Sequence, residues 1–254
     1  MTFREQVVLA ARHQGGLKVR PCLQVEPGWF AAIQQDVRRL LEGHAPSIVG
    51  ESSHPTYWTR PFGTVTQHSL LNTSGRTEDF SADHNLQIEG KQFVARECPA
   101  LERLSQAFAG RAINLRLNGM VGRAGLAAHE ENILHDQDRV RLRFHLPVFT
   151  TEKASVMLDG ERFRLQAGYI YFFNNGCVHA AQNDGDEPRY HLVWDVFHDS
   201  WIEEHVCDLG TEVVPGPGFR KLTAEEASAL SVSEPWEVGE YVTYSGQLQR
   251  FTNH

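Results

Sequence analysis

Positions 129–131 read His-Glu-Glu, so an imidazole and a carboxylate stand two residues apart. In an extended chain, residues i and i+2 point the same way. A strand over 127–132 therefore presents His129 and Glu131 on one face. These are two of the three donors of a 2-His-1-carboxylate site, which leaves coordination positions of an iron ion open. The third donor must come from another strand. His179 is the natural candidate, because it follows the Asn174-Asn175-Gly176 turn and opens a strand. Arg189 comes ten residues after His179 and begins Arg-Tyr-His-Leu-Val-Trp-Asp-Val. Its planar fork matches a carboxylate bidentately and stays charged when buried, so it could hold a dicarboxylate. Arg143 and His145 share a strand face by the same i, i+2 rule and add a second cationic, hydrogen-bonding pair.

Each piece has a plainer reading when taken alone. His-x-Glu is short and recurs by chance. A lone histidine is usually structural, and a lone arginine usually sits on the surface. Arg143 and His145 would suit the wet side of an amphipathic strand. The order and spacing of the whole set carry the argument.

The elements that must position these groups are readable. Residues 3–13 are weakly periodic. Phe30, Ile33, Val37 and Leu40 mark a helix over 28–42, stopped by Gly43, and Pro99 opens one over 99–109 with Leu101, Leu104 and Phe108 on one side. After Gly110 the period becomes two. Ile113, Leu115 and Leu117 alternate with Asn114 and Arg116, and 140–149 alternates likewise. Short strands are expected at 154–158, 161–165, 169–173 and 190–197, separated by Asp159-Gly160, Ala167-Gly168, Asn174-Asn175-Gly176 and Asp184-Gly185. Thr223 and Glu226 form a capping-box pattern for a late helix. The expectation is a mainly β, α+β fold. One domain over 1–254 has a helical and mixed part (1–110), a β-core (111–198) and a C-terminal extension (199–254).

Composition narrows the function. The net charge is -8 and there is no Lys/Arg block, which argues against nucleic acid. No apolar run reaches membrane-spanning length, and residues 1–13 lack a signal-like apolar stretch. Cys22, Cys98, Cys177 and Cys207 are scattered without a CxxC, so a reduced, cytoplasmic protein is expected rather than a disulfide scaffold or zinc ribbon.

Three segments resemble the aspartyl/asparaginyl β-hydroxylase family and the bacterial proline cis-hydroxylases. Arg141-Leu-Arg-Phe-His-Leu-Pro-Val-Phe-Thr looks like their Arg-x-His strand. Leu165-Gln-Ala-Gly168-Tyr-Ile-Tyr-Phe-Phe173 followed by His179-Ala-Ala-Gln-Asn183 looks like their Gly-strand-turn-His segment. Pro188-Arg189-Tyr-His191-Leu-Val-Trp-Asp195 looks like their Arg-x-His-Leu strand. The resemblance spans about 111–198 and is strongest over 141–196. It implies a double-stranded β-helix, of the jelly-roll or cupin-like kind. It implies a dioxygenase that uses Fe(II), 2-oxoglutarate and O2 and releases succinate and CO2. His129, Glu131 and His179 would bind the iron. Arg189 would pair with the distal carboxylate of 2-oxoglutarate, with Arg143 and His145 near its metal-binding end.

Two departures matter. The family's carboxylate ligand is usually Asp, and here it is Glu131, one methylene longer. The stretch from His129 to Arg143 is also slightly long, so His135 with Asp136 or Asp138 is an alternative metal pair. The apolar lead-in Gly125-Leu-Ala-Ala128 favours His129 and Glu131. A carboxylate ligand argues against halogenation. The expected substrate is a small molecule, an amino acid or derivative, with a peptide side chain also possible. Trp58, Arg60 and His68 could reach it, and Arg116 could bind its carboxylate. The rival readings are a cupin-type metalloenzyme without 2-oxoglutarate and a non-catalytic binding module. Arg189 argues against the first and the intact donor set against the second.

Overall fold

A computed structural model describes residues 1–50, 61–79, 85–108, 110–135 and 139–251. The expected helices are present as α1 (Phe3–Ala11), α2 (Pro27–Gly43) and α3 (Pro99–Ala107). Thr2 and Glu5 form a capping box on α1, and Thr223 and Glu226 form one on the late helix Ala224–Leu230. The N-cap residue of α3, Cys98, gives no side-chain cap. A residue of α2 does that work instead. Asp36 Oδ2 accepts from the backbone N–H of Ala100 at 2.6 Å and of Leu101 at 3.3 Å, and Arg39 holds its other oxygen at 2.7 Å. Replacing Asp36 with alanine orphans two buried donors. It should cost about 2 kcal/mol, the upper end for a lost cap, read as a shift in the urea midpoint at constant slope.

The strands that build the site are β1 (Val19–Val25), β2 (Pro61–Ser69), β3 (Ala112–His129), β4 (Arg139–Phe149), β5 (Ala154–Leu158), β6 (Glu161–Phe163), β7 (Tyr169–Phe173), β8 (His179–Asn183) and β9 (Arg189–Phe197). Pairing follows the order β1-β7-β4-β9-β3-β8-β5-β6, with β2 on the other edge of β3. The long strand β3 belongs to two walls. Its first half pairs with β9 and its second half with β8, so β1-β7-β4-β9-β3 and β3-β8-β5-β6 face one another. This curled antiparallel half-barrel is a double-stranded β-helix core with flanking helices. Gly122, at φ +67°, stands between the two halves. Gly125 lets β2 and β8 close in, since a Cβ there would lie 2.5 Å from both Ala181 O and the Phe62 ring.

Alternation along the first wall has an unusual meaning. Leu115, Leu117, Leu142, Phe144, Leu146, Leu192 and Trp194 pack outward with Ile33, Val37, Leu101 and Leu104 of the helices in one core. The intervening polar residues face not water but the space between the walls. Arg116, Arg143, His145, Arg189 and Asp195 are all buried. The sheet also reaches beyond 111–198, because β1 and β2 precede that stretch and Phe219–Lys221 adds to β1.

Candidate active site

The last turn of β3 sets the first ligand. His129 pairs with His179 and Leu126 with Ala181, so three steps on β3 match two on β8. The extra residue, at Ala127-Ala128, is a β-bulge, which re-aims the chain at a sheet edge. Leu126 and His129 both line the cavity as a result. The strand ends at His129, earlier than expected over 127–132. Glu131 lies just beyond, held by its own N–H donating to Asn175 O at 2.9 Å. His179 opens β8 directly opposite.

These three side chains converge. One donor atom from each of His129, Glu131 and His179 lies within 4.8 Å of the others. The two rings are 4.2 Å apart, and His179 Nε2 is 3.7 Å from Glu131 Oε1. Nδ1 of His129 donates to Ala127 O at 2.7 Å, and Nδ1 of His179 donates to Cys177 O at 2.9 Å. Each bond fixes the tautomer and leaves Nε2 as the metal-facing lone pair, the second-sphere arrangement of ligating histidines. Burial, then the neighbouring His179, pushes His129 down to about 3, so its ring is neutral. A His-Glu-His triad that can chelate a metal ion is therefore present.

The carboxylate is strongly anchored. Glu131 Oε1 accepts from Arg143 Nη1 at 2.5 Å; Oε2 accepts from Arg143 Nη2 at 2.9 Å, Arg141 Nη2 at 2.7 Å and Asn175 Nδ2 at 3.1 Å. Burial alone would raise Glu131, but Arg143 and then His179 and Arg141 hold it well below the usual carboxylate range. Arg143 has a second anion. Its Nε and Nη2 meet Asp195 at 2.8 and 3.1 Å, while Asn114 Nδ2 and Arg116 Nη1 reach Asp195 at 3.0 and 3.5 Å. Burial raises Asp195, yet Arg143 and Arg116 outweigh it and the group stays ionised.

Asp195→Asn should therefore cost about 3–5 kcal/mol, the penalty of stranding a buried partner charge. Because the folded carboxyl is depressed, the contribution is intact above the ordinary value of 3.8 and fades as pH falls below it. Urea melts at pH 7 and pH 3 test this, since the gap between wild type and variant must narrow at the lower pH.

A cavity of about 290 Å³ opens onto the triad. His145 lines it with both ring nitrogens enclosed and unpartnered; burial, then the charges of Arg189, Arg143 and Arg116, keeps the ring neutral. Arg189 also lines it, 2% exposed. Its Nη2 donates to His191 Nδ1 at 2.8 Å and its Nη1 lies 3.6 Å from Met120 Sδ. Its Nε has no partner, and among the described residues no carboxylate meets it. Burial alone brings the guanidinium down to about 9.

His129, Glu131, His179, Arg143, His145 and Arg189 thus line one cavity, as do Arg116 and His135. His68 does not line it; its neighbour Gln67 does, and the His68 ring turns to His44 O at 3.1 Å. Strand alternation, once β2 is known, decides between the two. Trp58, Arg60, Asp136 and Asp138 lie outside the described residues. Asp195, Arg141 and Asn175 stand within the quoted segments but have no role assigned from sequence; they act through Glu131 or Arg143.

Residues 67–199 match the family model of aspartyl/asparaginyl beta-hydroxylase. The chain belongs to this family. No curated protein matches its sequence. Solved structures with a similar shape include a 2OG-Fe(II) oxygenase-family oxidoreductase from Burkholderia pseudomallei, at 10% identity over 65% of this chain and 79% of that one, TM-score 0.42. HygX from Streptomyces hygroscopicus, with nickel and 2-oxoglutarate bound, matches at 13% identity over 89% and 99%, TM-score 0.40. A predicted oxalate decarboxylase from Thermotoga maritima matches at 11% over 62% and 96%, TM-score 0.36. Among the described residues no helix is long and apolar enough to cross a membrane.

Proposed function

We propose that the protein is an Fe(II)- and 2-oxoglutarate-dependent hydroxylase. It acts on an unactivated C–H bond of an amino acid, amino-acid derivative or peptide side chain, with succinate and CO2 as coproducts. The observation that carries this reading is Arg189, a buried guanidinium without a carboxylate among the described residues, on the wall of the cavity that holds the triad. A buried cation in that state calls for an anionic ligand. A cupin-type site without a dicarboxylate gives it no role.

His129, Glu131 and His179 would hold Fe(II), which when bound couples O2 activation to decarboxylation of the oxoacid. The chain's own tasks are binding, orientation and exclusion of water. Arg189 and the triad stand toward opposite ends of β9: Arg189 opens the strand, while Asp195, near its other end, carries the Arg143 that touches Glu131. Arg189 would take the distal carboxylate of a ligand lying between them. His145, neutral and with free ring nitrogens, would hydrogen-bond that ligand's oxygens near the metal end. Arg143 would act mainly by fixing Glu131. Anaerobic titration with Fe(II) and 2-oxoglutarate should produce a visible metal-to-ligand charge-transfer band that needs both. Metal binding with no response to 2-oxoglutarate would remove the hydroxylase reading.

A further inference from the structure

The cavity wall made by β2 and the first half of β3 carries polar groups that the chemistry above leaves unused. Gln67 and Asn118 face each other across this strand pair, and both line the cavity. Gln67 is 4% exposed; its Nε2 is enclosed and has no hydrogen-bond partner. Asn118 Oδ1 is enclosed and unpartnered as well. One is a donor and the other an acceptor, side by side, and neither satisfies the other. An amide turned end for end exchanges these roles and leaves the pair intact. Two residues along β3, Arg116 projects from the same inner face, tethered to Asp195 at 3.5 Å. Enclosed polar atoms without partners are rare in folded proteins and mark a place where a ligand or water is expected.

We infer that Gln67, Asn118 and Arg116 form the subsite that reads the main-chain end of a free α-amino acid. The substrate carboxylate lies against Arg116 and the Gln67 amide N–H, and its α-ammonium donates to the Asn118 carbonyl. Val49, Val65, Leu126 and Val156 on the same cavity receive the side chain. This assignment rests on the oxygenase reading, which gives Arg189 to the cosubstrate. The cavity volume of about 290 Å³ is at the small end for ligand sites, which fits a free amino acid beside the cosubstrate rather than a peptide.

The test uses full-length protein loaded anaerobically with Fe(II) and 2-oxoglutarate. It is titrated with common free L-α-amino acids, their N-acetyl and carboxamide forms, and dipeptides, following shifts of the charge-transfer band. At least one free amino acid should shift the band while its blocked forms do not. Gln67→Leu and Asn118→Leu should each weaken that amino acid about 10- to 100-fold, the loss expected for a hydrogen bond to a charged group, with 2-oxoglutarate affinity held within about twofold. Both variants should melt no lower than wild type, because each removes an enclosed, unpartnered amide atom; a merely structural amide would give a lower melting temperature. Shifts caused only by blocked forms or dipeptides would overturn the inference. So would variants that lose 2-oxoglutarate instead of the amino acid. A wild-type protein with no band at all would sink the oxygenase reading first and this subsite with it.

Discussion

His179→Ala should abolish Fe(II) binding and turnover together while leaving the protein folded. Among the described residues His179 supplies one of the two imidazoles in the cluster, and its Nε2 is turned to the site by the Nδ1 bond to Cys177 O. Losing an outer hydrogen-bond partner of a ligand typically costs about 10- to 100-fold in metal affinity, and losing the ligand itself must cost more. The histidine is a cleaner target than Glu131. Removing that carboxylate would take a buried anion from both Arg141 and Arg143 and destabilise the fold. A flat calorimetric titration with Fe(II), next to an unchanged circular dichroism spectrum, is the expected result. A variant that binds metal and turns over like wild type would exclude the triad.

Arg189→Ala should raise the 2-oxoglutarate concentration needed for half-maximal rate about 30- to 4,000-fold, the range for breaking a buried charge pair worth roughly 2–5 kcal/mol. Metal affinity should hardly move, since Arg189 makes no contact with the triad. Ligand-free stability points the other way. The folded guanidinium sits at about 9, below its ordinary value, so the folded state holds this proton less tightly than the unfolded chain. The charge therefore opposes folding below about pH 9, and that penalty shrinks as pH rises above it. Arg189→Met, which keeps the volume and drops the charge, should raise the melting temperature at pH 7. A variant with both lower stability and unchanged 2-oxoglutarate dependence would show that Arg189 is structural.

The donor set was legible because its members are tied to strand beginnings and ends. His179 follows a turn and opens a strand, Arg189 opens another, and both features are local. The helices were legible from period and from Pro99 and Gly43, again within a few residues of an end. What escaped was non-local. Asp36 caps a helix 64 residues away and Asp195 pairs with Arg143 across 52, and no short window contains such partners. The strands β1 and β2 escaped because their composition misleads. Pro21 interrupts the first, and the second runs Thr66, Gln67 and His68 in succession, polar residues that are buried on both faces. The same inversion hid the burial of Arg143 and His145, since alternation normally puts the polar side in water.

The bulge at Ala127-Ala128 means that β3 is written in two frames. Asn114, Arg116, Asn118, Met120 and Leu126 face inward on even positions, and His129 and Glu131 do so on odd ones. The bulge is the only point at which the parity changes between Leu126 and His129. If the same residues ran on without the bulge, unbroken alternation from Leu126 would turn the first imidazole to the far side of the sheet. Every ligand would still be present in such a chain, and a motif search would pass it as intact. In this fold a one-residue slip in strand pairing can therefore silence a metal centre that composition alone would report as whole.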